Sequence, residues 1–154
     1  MPVSMSAARP VPLSETCRDR AVLWLWPGQA LYVGPSLALD VHSGSVSCLA
    51  VGVDGPFTVR PADGAPRTVR TALVAARVRH RITAHGDRMA FCYLDPASAR
   101  ERACRRLTDG GAALALDHRH EAALAELAAE LDPSAPAGRA RAVPEHACPR
   151  TRVP

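Results

Sequence analysis

The sequence predicts a mainly β fold, a small barrel or sandwich followed by two α-helices. Three observations carry this. About eight short apolar runs succeed one another at roughly ten-residue spacing, each closed by Gly, Pro or Asp. After Asp95 the apolar period changes from that of strands to that of helices. From Pro133 onward the chain is rich in Pro, Arg and Ala, the composition of a linker.

The elements follow in order. Residues 1–18 contain Pro and Ser without period and are expected to form a flexible arm. The barrel is placed over 19–95. AVLWLW ends at Pro27 and Gly28, QALYV at GPS, and LALDVH at Ser43 and Gly44. SVSCLAVGV runs to Asp54–Pro56. FTVR and TVRTALVA flank PADGAP, a hairpin connection. RVRHRIT ends at HGD, and RMAFCYL closes the set. In RVRHRI, residues 77–82, alternation sends Arg77, Arg79 and Arg81 to water and Val78, His80 and Ile82 inward. Trp24 and Trp26 share a face, opposite Leu25, and read as core or as a pocket wall.

Residues 96–132 form the helical segment. Asp95 is placed as N-cap and Pro96 at the first helical position. The charged face RERACRR is expected in solvent, and TDGGAA ends the helix. The second helix, 117–131, is rich in Ala, Leu and Glu, with Leu124, Leu127 and Leu131 in a stripe. Such a stripe needs burial against the barrel or its twin, so a homodimer through the helices is expected. His118 and His120 are expected to be exposed. Residues 133–154 are expected to be a disordered basic tail in which the HAC at 146–148 is inert.

The 154 residues suffice for one domain, and 47% hydrophobic with 22% charged residues is ordinary for a soluble protein. No apolar run approaches the roughly 20 residues of a membrane span. No secretory apolar region follows Arg9, so a cytoplasmic location is expected. All nineteen basic residues are arginine, a coding bias before it is a functional hint. The net charge is +4, and the tail carries most of it, so the folded part shows no nucleic-acid footprint. The cysteines, Cys17, Cys48, Cys92, Cys104 and Cys148, are odd in number and lack a CxxC pair, which excludes a disulfide framework and a zinc knuckle. No nucleotide-binding, hydrolase or metalloprotease motif occurs.

LYVGPSLALDVHSGSVSCLAVGVDGPFTVR and TALVAARVRHRITAHGDRMAFCYLDP resemble the N-terminal sensor domain of AraC-type transcriptional regulators. The resemblance covers about residues 21–131. It implies a cupin, a double-stranded β-helix barrel followed by helices, with a small-molecule effector in the barrel. The DNA-binding half of that family has no counterpart here, so no sequence-specific DNA binding is expected. Metal-binding cupins place His, His and Glu at i, i+2 and i+6, and a further His on a later strand. His42 matches the first position and His80 the last, but Gly44 and Cys48 occupy the other two. The resemblance therefore makes His42, Cys48 and His80 candidates for ligand binding. The same residues are the candidates for a metal, although no metal or other cofactor is expected. Trp24 and Trp26 join them as candidate pocket walls. Three readings follow: an effector-sensing and dimerisation domain, a small metal-dependent cupin enzyme of isomerase or dioxygenase type, or an interaction module forming mixed dimers with a full-length regulator.

Overall fold

A computed structural model describes residues 21–150, so the expected arm at 1–18 lies outside the described residues. Among the described residues ten strands and three helices follow one another. The strands are β1 (Val22–Trp26), β2 (Gln29–Pro35), β3 (Ser47–Gly52), β4 (Phe57–Pro61), β5 (Arg67–Val69), β6 (Thr71–Val74), β7 (His80–Ala84), β8 (Arg88–Leu94), β9 (Asp109–Gly110) and β10 (Leu114–Leu116). The helices are α1 (Ala99–Arg106), α2 (Glu121–Ala129) and α3 (Ala137–Ala147).

A seven-stranded sheet, β1-β2-β8-β3-β6-β10-β9, packs against a three-stranded sheet, β5-β4-β7. The order β2-β8-β3-β6 opposite β7-β4-β5 is that of a double-sheet jelly roll, in which hairpin neighbours along the chain are traded for partners from the other half. The large sheet is covered on both faces. Leu31, Val33, Leu49, Leu73, Cys92 and Leu94 meet the helices, while Tyr32, Ala50, Ala72, Val74 and Phe91 meet the small sheet. Two buried faces explain why its strands read as continuous apolar runs rather than as alternation. The small sheet buries one face only, so β7 alternates: Arg81 and Thr83 are exposed, His80 is buried and Ile82 half-buried.

Four expectations are corrected. LALDVH does not form a strand. Its only ladder contact is one bridge, His42 N–H to His80 O at 3.0 Å and His80 N–H to His42 O at 2.9 Å. Local bonds compete with the ladder there: Asp40 Oδ1 accepts the Val41 N–H, and Asp40 O accepts from His42 Nδ1. Conversely, TDGGAALAL is not a plain break. Gly110, at φ +138°, turns the chain so that β10 adds to the edge of β6.

The helices differ too. α1 is capped by Ser98, whose Oγ accepts the Glu101 N–H, one turn later than an Asp95 cap. Its charged face is not wholly solvated. Glu101 is buried, accepts from Ser47 Oγ at 3.2 Å and pairs with Arg105 one turn on. α2 begins at Glu121, because Asp117 lies at φ +55° and His118 folds inward.

The fourth correction is the tail. Residues 137–147 form α3, and Ala140, Val143, Ala147 and Cys148 are buried against the core. The spacing of three and four places Ala140, Val143 and Ala147 on a single face, and Cys148 follows at the C-cap. Alanine hides such a stripe from a hydrophobicity reading, and Pro144 argues against a helix at all. The leucine stripe that predicted a homodimer is covered within the chain: Leu124 and Leu131 are buried, and Leu127 packs on the same cluster. No described helix is long and apolar enough to cross a membrane.

Candidate functional site

The two sheets close over most of their shared interior with Phe57, Val59, Met89 and Phe91. Towards one end they separate around a cavity of about 250 Å3. The inward parity of each strand decides what lines it. β3 contributes Cys48, β6 Val74, β7 His80 and Ile82, and β8 Phe91 and Tyr93. The stretch before β3 supplies the mouth: Leu37, Leu39, His42, Gly44 and Val46. The sparse pairing of this stretch, the His42–His80 bridge and one further bond from Arg77 N–H to Gly44 O, leaves the barrel open on this side.

His42 and His80 sit together because their backbones form the single bridge. Their ring centroids are 4.7 Å apart with planes tilted by 48°. His80 Nδ1 lies 2.8 Å from Val78 O, and His42 Nδ1 lies 3.0 Å from Asp40 O. A carbonyl only accepts, so both Nδ1 atoms carry the proton. In the neutral rings Nε2 then holds the lone pair. Burial holds His80 below its ordinary pKa; the Val78 carbonyl partly opposes this, and His42 adds to it. His80 is therefore neutral at pH 7.

The rest of the lining is also uncharged. Burial pushes the Cys48 thiol up to about 12, so it is a protonated thiol and no nucleophile at pH 7. Burial, with Cys48 and Tyr32 nearby, raises the Tyr93 phenol to about 12 as well. Among the described residues no Asp, Glu or Arg lines the cavity.

A cupin-type metal centre does not fit these residues. Two imidazoles face the cavity, but Gly44 offers no side chain and a cysteine stands where the carboxylate belongs. Among the described residues no group of three His, Cys, Asp or Glu is placed to hold an ion.

The remaining candidates lie elsewhere. Trp24 pairs with Leu31 and Trp26 with Gln29 across β1–β2, which puts both tryptophans on the helix side of the sheet, packed on that core rather than in the cavity. Leu25, on the opposite face, is 73% exposed because the small sheet does not reach β1. His118, expected in solvent, is 1% exposed. Its Nε2 donates to Ala147 O at 2.9 Å and its Nδ1 accepts from the His120 N–H at 3.0 Å. His120 in turn donates from Nδ1 to His146 O. These two histidines tie the end of α3 to the start of α2. Cys148, in the stretch read as inert tail, belongs to the core beside Cys104.

Sequence reasoning missed Phe91, Tyr93, Val74 and Ile82 as lining. The signal was available for β7, where Ile82 shares parity with His80. In β8 the unbroken run MAFCYL gave no way to tell the inner face from the helix face.

The strand order defines the class: this is a mainly β, cupin-like jelly roll with helices packed on its outer face. The chain is similar to a cupin protein from Bacteroides fragilis, at 18% identity and TM-score 0.42 over 62% of this chain and 86% of that one. It is also similar to an RmlC-like cupin with a double-stranded β-helix fold from Methanocaldococcus jannaschii, at 15% identity and TM-score 0.39 over 50% and 80%. A cupin 2 conserved barrel domain protein from Salinispora arenicola is matched at 16% identity and TM-score 0.41 over 61% and 92%. No protein-family model matches the chain, and no curated protein matches it.

Proposed function

We propose that the chain is a ligand-sensing module of the AraC-regulator type, which binds a small molecule between its sheets and relays occupancy to its helices. One observation carries this reading: the cavity has largely apolar walls, opens beside the stretch before β3 and holds two imidazoles, with no described Asp, Glu or Arg in its lining. Sites of this build bind apolar molecules and orient them through a few polar atoms. Relay has a short path, because β8 sends Phe91 and Tyr93 to the cavity and Cys92 and Leu94 to the helices. Self-association is not part of this reading, since the leucine stripe on α2 is already covered by the chain itself.

Amide-resolved titration with a library of small neutral aromatic and alicyclic compounds tests the binding. Saturable shifts at Cys48, Val74, His80, Phe91 and Tyr93 are expected. Hydrogen exchange on the same samples tests the relay: bound ligand should change protection in α2 and α3. Binding with unchanged helices would leave a binding module that is no sensor. No binding would remove the reading altogether.

A further inference from the structure

Taking the cavity as the ligand site just proposed, we infer that it selects a neutral, monocyclic-sized molecule that brings its own hydrogen-bond donor, a phenol being the type. The hydrogen-bonding capacity of the site decides this. His80 Nδ1–H is spent on Val78 O and His42 Nδ1–H on Asp40 O. What the imidazoles have left to offer a ligand is the Nε2 lone pair on each ring, an acceptor. A ligand that presents only acceptors, such as an ether or ketone, can meet the Tyr93 hydroxyl but leaves the His80 lone pair unanswered.

His80 is the more decisive of the two. It is buried, and the space beside its ring is the cavity. A polar group at that depth must be answered or its desolvation is uncompensated. Water can answer it, and so can a ligand hydroxyl that displaces the water. His42 sits at the exposed mouth, where solvent answers it in either state.

Charge is excluded by the lining. A carboxylate would meet two lone pairs and no cation. An ammonium ion could donate, but no described carboxylate lines the wall to offset its dehydration. Size follows from volume. An apolar cavity of about 150 Å3 takes benzene, so the 250 Å3 here suits one ring with a short substituent. Phe91 and Tyr93, with ring centroids 6.4 Å apart, give an aromatic wall on which such a ring can lie.

Calorimetric titration of the intact chain with 4-ethylphenol, 4-methylanisole and p-toluate at pH 8 tests this. The first two have the same number of heavy atoms and differ in the donor; the third is an anion. The phenol should bind at least about tenfold more tightly than the ether, the worth of one net hydrogen bond, and p-toluate should not bind. In His80→Phe the preference should vanish. Long-range 15N–1H spectra of the unmodified protein give an answer independent of that variant's folding. They should show His80 protonated at Nδ1, with Nε2 shifting on addition of the phenol but not of the ether. Equal affinity for phenol and ether, tighter binding of p-toluate, or a proton on His80 Nε2 would overturn the inference while leaving the cavity as a ligand site. Failure of all three compounds to bind would overturn the inference and the ligand site together.

Discussion

At the scale of single residues, the buried histidines set how stability responds to pH. Burial, the largest cause, holds both His80 and His118 below the ordinary value of 6.5. The unfolded chain then takes up protons at a higher pH than the folded one, so stability rises with pH across that interval. The contribution is complete above about 6.5 and is lost as pH falls below it. Denaturation midpoints should drop between pH 7 and pH 5. Replacing His118 with Ala should cost about 2–3 kcal/mol at pH 7, because the Ala147 carbonyl and the His120 N–H lose their partner in a closed space. The variant should also lose part of the pH slope. A slope unchanged in both His80 and His118 variants would contradict the neutral, Nδ1-tied and Nε2-tied rings described here. The inward parity of His80 was legible in RVRHRI. His118 was not, because nothing in DHRHEAA reveals that Asp117 adopts a positive φ and turns the next side chain into the core.

At the scale of elements, α3 is the departure with the clearest consequence. A disordered tail would tolerate a charge at position 143; a packed helix would not. Val143→Asp buries an unpaired carboxylate in the core cluster that includes Leu124 and Ala128 and should cost about 3 kcal/mol or more. A loss within the ±0.5 kcal/mol or so of an exposed site would contradict the packing. Leu124→Ala, on the facing helix, should cost about 2–5 kcal/mol by the cavity it leaves. The strands were more legible than the helices. Gly, Pro and Asp marked most turns, and each of β1–β8 overlaps a predicted run, although TVRTALVA, read as one strand, divides into β5 and β6 in different sheets, and one run forms no strand. The exception, LALDVH, has a strand's alternation but satisfies its backbone locally through Asp40. Pattern alone could not show that, because it records side-chain polarity and not where the N–H groups go. The same blindness hid α3, whose contact face is made mostly of alanine.

At the scale of the whole molecule, the chain is a sheet with two cores, one under the helices and one facing the small sheet. That division explains why His42, Cys48 and His80 meet at one cavity while Trp24 and Trp26 face the other way. The first three share the inner side through β3, β7 and the bridge between them, whereas the β1–β2 register fixes the tryptophans on the helix side. From sequence, parity gave which residues share a face. It could not give which of two buried faces that was. Charge follows the same plan. α1 has its Glu101 buried against Arg105, and α2 carries Glu121 and Glu126 with Glu130 at its C-cap. The exposed arginines of α1, Arg102 and Arg106, and those of α3, where Arg141 pairs with Glu145, can meet phosphate but form no array of base-reading side chains. Any binding to duplex DNA should be weak, steeply salt-dependent and indifferent to sequence. A preference of about a hundredfold or more for one duplex at physiological salt, far above such background binding, would contradict this.

The central claim is that the space between the sheets holds a ligand, and intermolecular nuclear Overhauser effects from bound 4-ethylphenol test it most directly. Contacts from the ring protons to the Val74 and Ile82 methyl groups and to the Phe91 ring are the expected result, since these side chains wall the cavity. Contacts confined to Trp24, Trp26 or the helices, or none at a concentration that saturates the shifts, would contradict it.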